Sequence, residues 1–123
     1  MTQEDKDLLL KDLSARLPYG VKIRIEYPFL NEEEWHTETL YGLDLQRLCI
    51  ANTSIRLEEF KPYLFPLSSM TEEQEKEYLN TCNGYCTYYW TEETFDWLNA
   101  HHFDYRGLIE KSLALDATGL NIY

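Results

Sequence analysis

TQEDKDLLLKDLSARLPYGVKIRIEY, residues 2–27, changes period part-way along, and that change sets the fold class. Leu9, Leu10, Leu13 and Leu17 recur at helical spacing, so they form one stripe while the charges fall elsewhere. Thr2, with Asp5 three residues on, has the form of a capping box with Asp in the acceptor role. A helix is therefore expected over 2–16, ended by Pro18 and Gly20. Beyond Gly20 the period drops to two. Val21, Ile23, Ile25 and Tyr27 alternate with Lys22, Arg24 and Glu26, which describes a strand with one buried and one wet face.

Outward from this segment the signals weaken and then recover. Residues 28–34 read as a turn-rich acidic connection. Over 35–45, Trp35, Thr37, Thr39 and Tyr41 share a side, and Gly42 marks a bulge or a close backbone approach. Residues 47–51 fit a short apolar strand and 52–54 a turn, while 55–60 fits a strand and a helical turn equally well. PYLFP at 62–66 is expected to be extended or irregular, because each proline removes a donor and restricts its predecessor. Thr71 with Gln74 repeats the capping-box pattern and opens a helix to about 81, stopped by Asn83-Gly84. Thr91 opens another, with Trp90 and Phe95 at the offsets of a hydrophobic staple. Asp104 is expected to open a last helix, with Phe103 and Leu108 at the same offsets. Leu108, Ile109, Ser112, Leu113 and Leu115 would form its inner face, and 119–123 would add an edge strand or fray. Strands and helices segregate along the chain, so the expected fold class is α+β. Its parts are an N-terminal helix, a small antiparallel sheet of three to five strands, and about three C-terminal helices packed on it. Residues 1–123 are expected to form a single domain.

The formal net charge of −11 argues against nucleic acid and against an anionic membrane as partners. A protein partner, basic in character, suits it better. The start, MTQEDKDLLL, shows no basic segment followed by an apolar one, so no signal peptide is expected, and Leu8–Leu10 is too short a run to span a bilayer. With only Cys49, Cys82 and Cys86, the chain reads as cytoplasmic with free thiols.

Few residues look chemical. His101-His102-Phe103-Asp104 brings ligand types for zinc or iron, and the alternative reading of a small metal-dependent enzyme rests there. Adjacent helical residues point about 100° apart, however, so the two imidazoles do not converge, and Asp104 is wanted as a cap. Cys82 and Cys86 with His101 supply three ligand types where a structural zinc wants four. Cys86 as a nucleophile would need a spatially adjacent base. Glu34, His36 and Glu38 share one strand face, an acid–base arrangement or simply a solvated face. No phosphate loop, dinucleotide turn or serine elbow occurs. The chain is therefore read as a non-enzyme with no cofactor and no metal site.

LLLKDLSARLPYGVK at 8–22, PYLFPLSSMTEEQ at 62–74 and DWLNAHHFDYRGLIEKSLA at 96–114 resemble small uncharacterised proteins of phages and integrated mobile elements from gut anaerobes. The resemblance covers less than half the chain. It implies a mobile-element setting and life in a host cytoplasm, and it carries no activity. It favours an accessory or anti-defence role. The acidic excess offers an alternative, a nucleic-acid mimic inhibiting a basic host enzyme, whose carboxylates would replace a row of phosphates.

The densest aromatic stretch is YCTYYWTEETFDWL, residues 85–98. It reads either as a core of large rings or as a recognition surface. Trp90 and Phe95 have the staple to form, and Trp97 and Leu98 a helix to pack. Tyr85, Tyr88 and Tyr89 remain for recognition, rimmed by Glu72, Glu73, Glu92 and Glu93. The expected function is that of an acidic accessory protein binding another protein.

Overall fold

The computed structural model describes residues 2–26, 36–40, 42–44, 47–50, 53–56, 60–86 and 89–123. Helix α1, Gln3–Arg16, begins with the expected capping box. Thr2 Oγ1 accepts from Asp5 N at 3.1 Å, and Asp5 accepts from Thr2 N at 3.2 Å. Two of the helix's orphan donors are thereby satisfied. Leu9 and Leu13 are fully buried, and Leu8, Leu10 and Leu17 pack beside them. A 3₁₀ turn over Leu17–Tyr19 and Gly20, at φ 68°, redirect the chain into β1, Lys22–Ile25.

The other strands are β2 (His36–Thr39), β3 (Gly42–Asp44), β4 (Arg47–Ile50), β5 (Thr53–Arg56), β6 (Phe60–Pro66), β7 (Phe103–Asp104) and β8 (Leu115–Asp116). They form a five-stranded sheet in the order β2-β1-β6-β7, with β8 also on β6, and a separate three-stranded sheet β3-β4-β5. The five-stranded sheet is mixed, not antiparallel throughout. β1 runs antiparallel to both neighbours, with Ile23 opposite Glu38 and Pro62. β6 runs parallel to β7, Phe65 opposite Phe103, and to β8, Tyr63 opposite Leu115. Parallel pairing needs a long crossover, and the helical segment between β6 and β7 provides it.

β6 takes in the whole PYLFP stretch as regular strand. Pro62 stands at the last pair of the β1 ladder and Pro66 at the last pair with β7, so both missing donors fall where ladders end. β5 likewise takes in Thr53 and Ser54, where a turn was expected, and makes 55 and 56 strand. The readings of Tyr27, 28–35, Tyr41, 51–52 and 57–59 lie outside the described residues. The main core joins Leu9 and Leu13 of α1 to Ile23, Ile25, Phe60 and Leu64 of the sheet, all at most 3% exposed. Burying each such side chain contributes about 1.5–3 kcal/mol.

Among the described residues two α-helices, not three, come after β6, and both precede β7: α2, Glu72–Asn80, and α3, Glu92–Ala100, which packs against α1, α2 and β7. Both start with the capping threonines the sequence marks, Thr71 and Thr91. Asn83 and Gly84, at φ 52° and 82°, stop the chain after α2, and Gly84 N donates to Leu79 O at 2.8 Å. The helix expected at Asp104 is absent. Its carboxylate accepts from Leu108 N at 3.0 Å and Ile109 N at 2.9 Å, four and five residues on, and so holds a loop. Gly107 and Ser112, at φ 74° and 60°, turn that loop off a helical path. Phe103 consequently belongs to β7, not to a staple. Leu108 and Leu113 still reach the core, while Leu115 lies on β8. Residues 119–123 form no strand. Among the described residues, no helix is long and apolar enough to cross a membrane.

Candidate functional site

Trp90, Phe95 and Trp97 pack on neighbouring rings, and with Tyr78 they fasten α2 to α3. Trp90 meets Tyr78 edge-on at 6.4 Å between centroids and donates its Nε1–H to the Tyr78 hydroxyl at 2.9 Å. Trp90 and Phe95 meet edge-on at 5.4 Å, which is the staple expected around Thr91. Beneath them, Thr91 Oγ1 donates to Thr81 O at 2.9 Å, and Thr81 Oγ1 to Thr94 Oγ1 at 3.0 Å, tying the start of α3 to the end of α2. Trp97 stacks on Phe103 at 5.6 Å and carries the ring packing to the sheet.

Tyr85 and Tyr89 are each 55% exposed, and they stack on one another at 6.3 Å with planes 13° apart. Tyr88 lies outside the described residues. The turn that carries Tyr85 is tightly held: Tyr85 N donates to Cys82 O at 2.9 Å, and Tyr89 N to Tyr85 O at 3.2 Å. Cys82 and Cys86 are joined as a disulfide across Cα atoms 5.3 Å apart, which corrects the expectation of free thiols for this pair. That pairing was not legible in the sequence, because a four-residue spacing suits two reduced thiols equally well. Leu79, 39% exposed, was missed, and Phe95, read as a staple residue, is 40% exposed as well.

The acids separate into two groups. Glu92 and Glu93 occupy the first turn of α3, exposed, and Glu92 follows Tyr89 by only three residues, a span of at most about 11 Å. Glu72 and Glu73 occupy the first turn of α2, at the far end of that helix from the tyrosine turn. At 1.5 Å per residue, nine residues separate the two ends by roughly 12 Å. Both pairs also have a local role, since carboxylates near a helix N-terminus complement its dipole. Glu92 and Glu93 thus open the helix that follows Tyr89, while Glu72 and Glu73 open the helix that precedes Tyr85.

The histidines diverge. His101 stacks on Trp97 at 4.2 Å, with its Nδ1 2.9 Å from Trp97 O. His102, at φ 62°, turns the other way and stacks on Tyr123 at 3.7 Å. Burial, with the nearby Arg16, His101 and Lys22 charges adding to it, lowers the His102 pKa from 6.5 to about 4. Among the described residues no three His, Cys, Asp or Glu side chains converge as metal ligands would.

A buried ionic cluster was also missed. Asp12 and Arg16, on the helix whose charges were expected to fall outside, are both fully buried. Arg16 Nε donates to Asp12 at 2.8 Å, and its Nη2 donates to Phe103 O. Arg106 Nε reaches the other Asp12 oxygen at 3.2 Å. The Tyr105 ring lies against both guanidinium groups, and its hydroxyl donates to Asn99 at 3.0 Å. This cluster fastens the C-terminal loop to α1, with Arg106 and Tyr105 partly exposed and Asp12 and Arg16 fully buried.

A shallow cleft of about 330 Å³ is lined by Leu67, Ser68, Met70, Glu75 and Tyr78, with Glu75 the one carboxylate in that lining. Comparison with known proteins gave no match to a family model, a curated protein or a solved structure.

Proposed function

We propose that this protein is a non-enzymatic binding module whose contact surface is the tyrosine turn with the first turn of α3. One observation carries the reading: Tyr85 and Tyr89 are half exposed, stacked on each other, and set on a turn held by backbone bonds and a disulfide. Tyrosine offers large contact area at a low entropic cost, and a held turn loses little freedom on binding. Glu92 and Glu93 beside it favour a protein partner with a basic contact surface. An accessory protein of a phage or mobile element is the setting we propose, on the sequence resemblance. The redox state of Cys82 and Cys86 follows the compartment, reduced in a cytoplasm and joined in an oxidising one.

The test compares wild type with Tyr85→Ala/Tyr89→Ala as immobilised bait in host lysate, after thermal melts have established equal stability. Wild type should retain a partner that the double variant loses. Identical sets of captured proteins would refute this surface.

A further inference from the structure

Cys82 and Cys86 bracket the very turn that presents Tyr85, and both sulfurs are enclosed, the residues being 1% and 7% exposed. Between them the backbone passes through two successive left-handed residues, Asn83 and Gly84, a conformation that costs an ordinary residue energy. Among the described residues, backbone bonds from Cys82 N and Gly84 N to Leu79 O, Asn83 N to Asn80 O, Tyr85 N to Cys82 O and Tyr89 N to Tyr85 O hold this path. The last of these couples the position of Tyr89 to the turn. A covalent closure across residues 82 and 86 restricts Tyr85 directly and Tyr89 through its bond to Tyr85 O, whereas α2 and α3 have their own fastening in Thr81, Thr91, Thr94 and Trp90.

We propose that the Cys82–Cys86 pair is a reversible redox lock on the Tyr85–Tyr89 surface. Joined, it holds the turn in its binding form. Reduced, it lets the turn and both rings move while the rest of the fold persists. This rests on the reading of that surface as the binding site. Closure takes two electrons from the cysteine sulfurs, and a glutathione disulfide accepts them. A thiolate of the pair attacks that disulfide, forming a mixed disulfide and releasing one glutathione thiolate. The second cysteine thiolate then displaces the other glutathione. Both thiol protons end on the two glutathione thiols. Both cysteines are buried, so the exchange proceeds when the turn opens.

The experiment uses the full chain equilibrated in oxidised or reduced glutathione, with amide hydrogen exchange followed by mass spectrometry. Oxidation should remove two hydrogens from the intact mass, and peptides spanning 82–89 should exchange at least tenfold faster in the reduced form, with α1 and β1 unchanged. Cys82→Ser/Cys86→Ser should match the reduced pattern in both buffers; should it fail to fold, the reduced wild type alone decides. Equal exchange in the two redox states, or a pair that glutathione disulfide leaves unjoined, overturns the lock. The same two forms serve as bait in the lysate capture. If oxidised and reduced protein retain the partner equally while Tyr85→Ala/Tyr89→Ala loses it, the lock is refuted and the surface stands. If that double variant keeps the partner, the surface reading itself fails.

Discussion

Acidification from pH 6.5 to pH 4 should weaken the fold through His102. Its ring is sandwiched against Tyr123 at 3.7 Å, the residue is 8% exposed, and Nδ1 has no hydrogen-bond partner among the described residues. A proton added there would be buried near Arg16, His101 and Lys22, so the folded pKa falls from 6.5 to about 4. The unfolded chain binds that proton below 6.5, whereas the folded chain binds it only near 4. Stability from this residue is therefore complete above pH 6.5, falls as pH drops, and is gone below about 4. The gap of two and a half pH units corresponds to about 3 kcal/mol, at a slope of at most about 1.4 kcal/mol per pH unit. Many carboxylates titrate in the same range, so the decisive quantity is a difference. Urea unfolding followed by tryptophan fluorescence would be run at half-unit steps from pH 7 to pH 4, on wild type and on His102→Asn. Asparagine tolerates the left-handed backbone at φ 62° and does not titrate. The variant should start less stable, because the stacking is lost, and the two profiles should converge as pH falls. Parallel profiles would refute the reasoning, as would a wild type that gains on the variant in acid.

Three further outcomes follow from the buried polar contacts. Asp12→Ala strands the buried Arg16 charge and frees Arg106, and should cost about 3–5 kcal/mol in urea unfolding. Asp12→Leu/Arg16→Met should recover most of that loss, and a single-variant cost below about 1 kcal/mol would show the cluster to be dispensable. Tyr123 is 40% exposed overall, yet its hydroxyl lies between Lys22 N at 2.8 Å and Tyr63 O at 2.7 Å. Burial there pushes its pKa up to about 12, so the folded chain keeps a proton that the unfolded chain loses above pH 10. Stability should therefore fall between pH 10 and 12, less steeply in Tyr123→Phe, as thermal melts at those pH values would show. Finally, thiol titration in denaturant without reductant should find one thiol per chain, since the sequence has three cysteines and two are joined. Three titratable thiols would remove the disulfide.

The sequence by itself determined α1, β1 and the starts of α2 and α3, along with the Trp90–Phe95 staple. Each rests on spacing or on a cap within a few residues, so local chemistry suffices to specify it. The tyrosines to watch were legible too, because capping and helix packing used up their neighbours. Tertiary structure decided the rest. Asp104 looks like a helix cap in sequence, but it and Phe103 pair with Pro66 and Phe65, some 40 residues earlier, and a loop follows where a helix was expected. Asp12 and Arg16 read as solvated charges, and burial became tolerable only because partners 94 and 87 residues away, Arg106 and the Phe103 carbonyl, close around them. The joining of Cys82 to Cys86 likewise depended on a turn bringing their Cα atoms within 5.3 Å. Period and caps are properties of a short segment, whereas the cost of burying a charge or pairing a strand is set by whatever the rest of the chain brings to it.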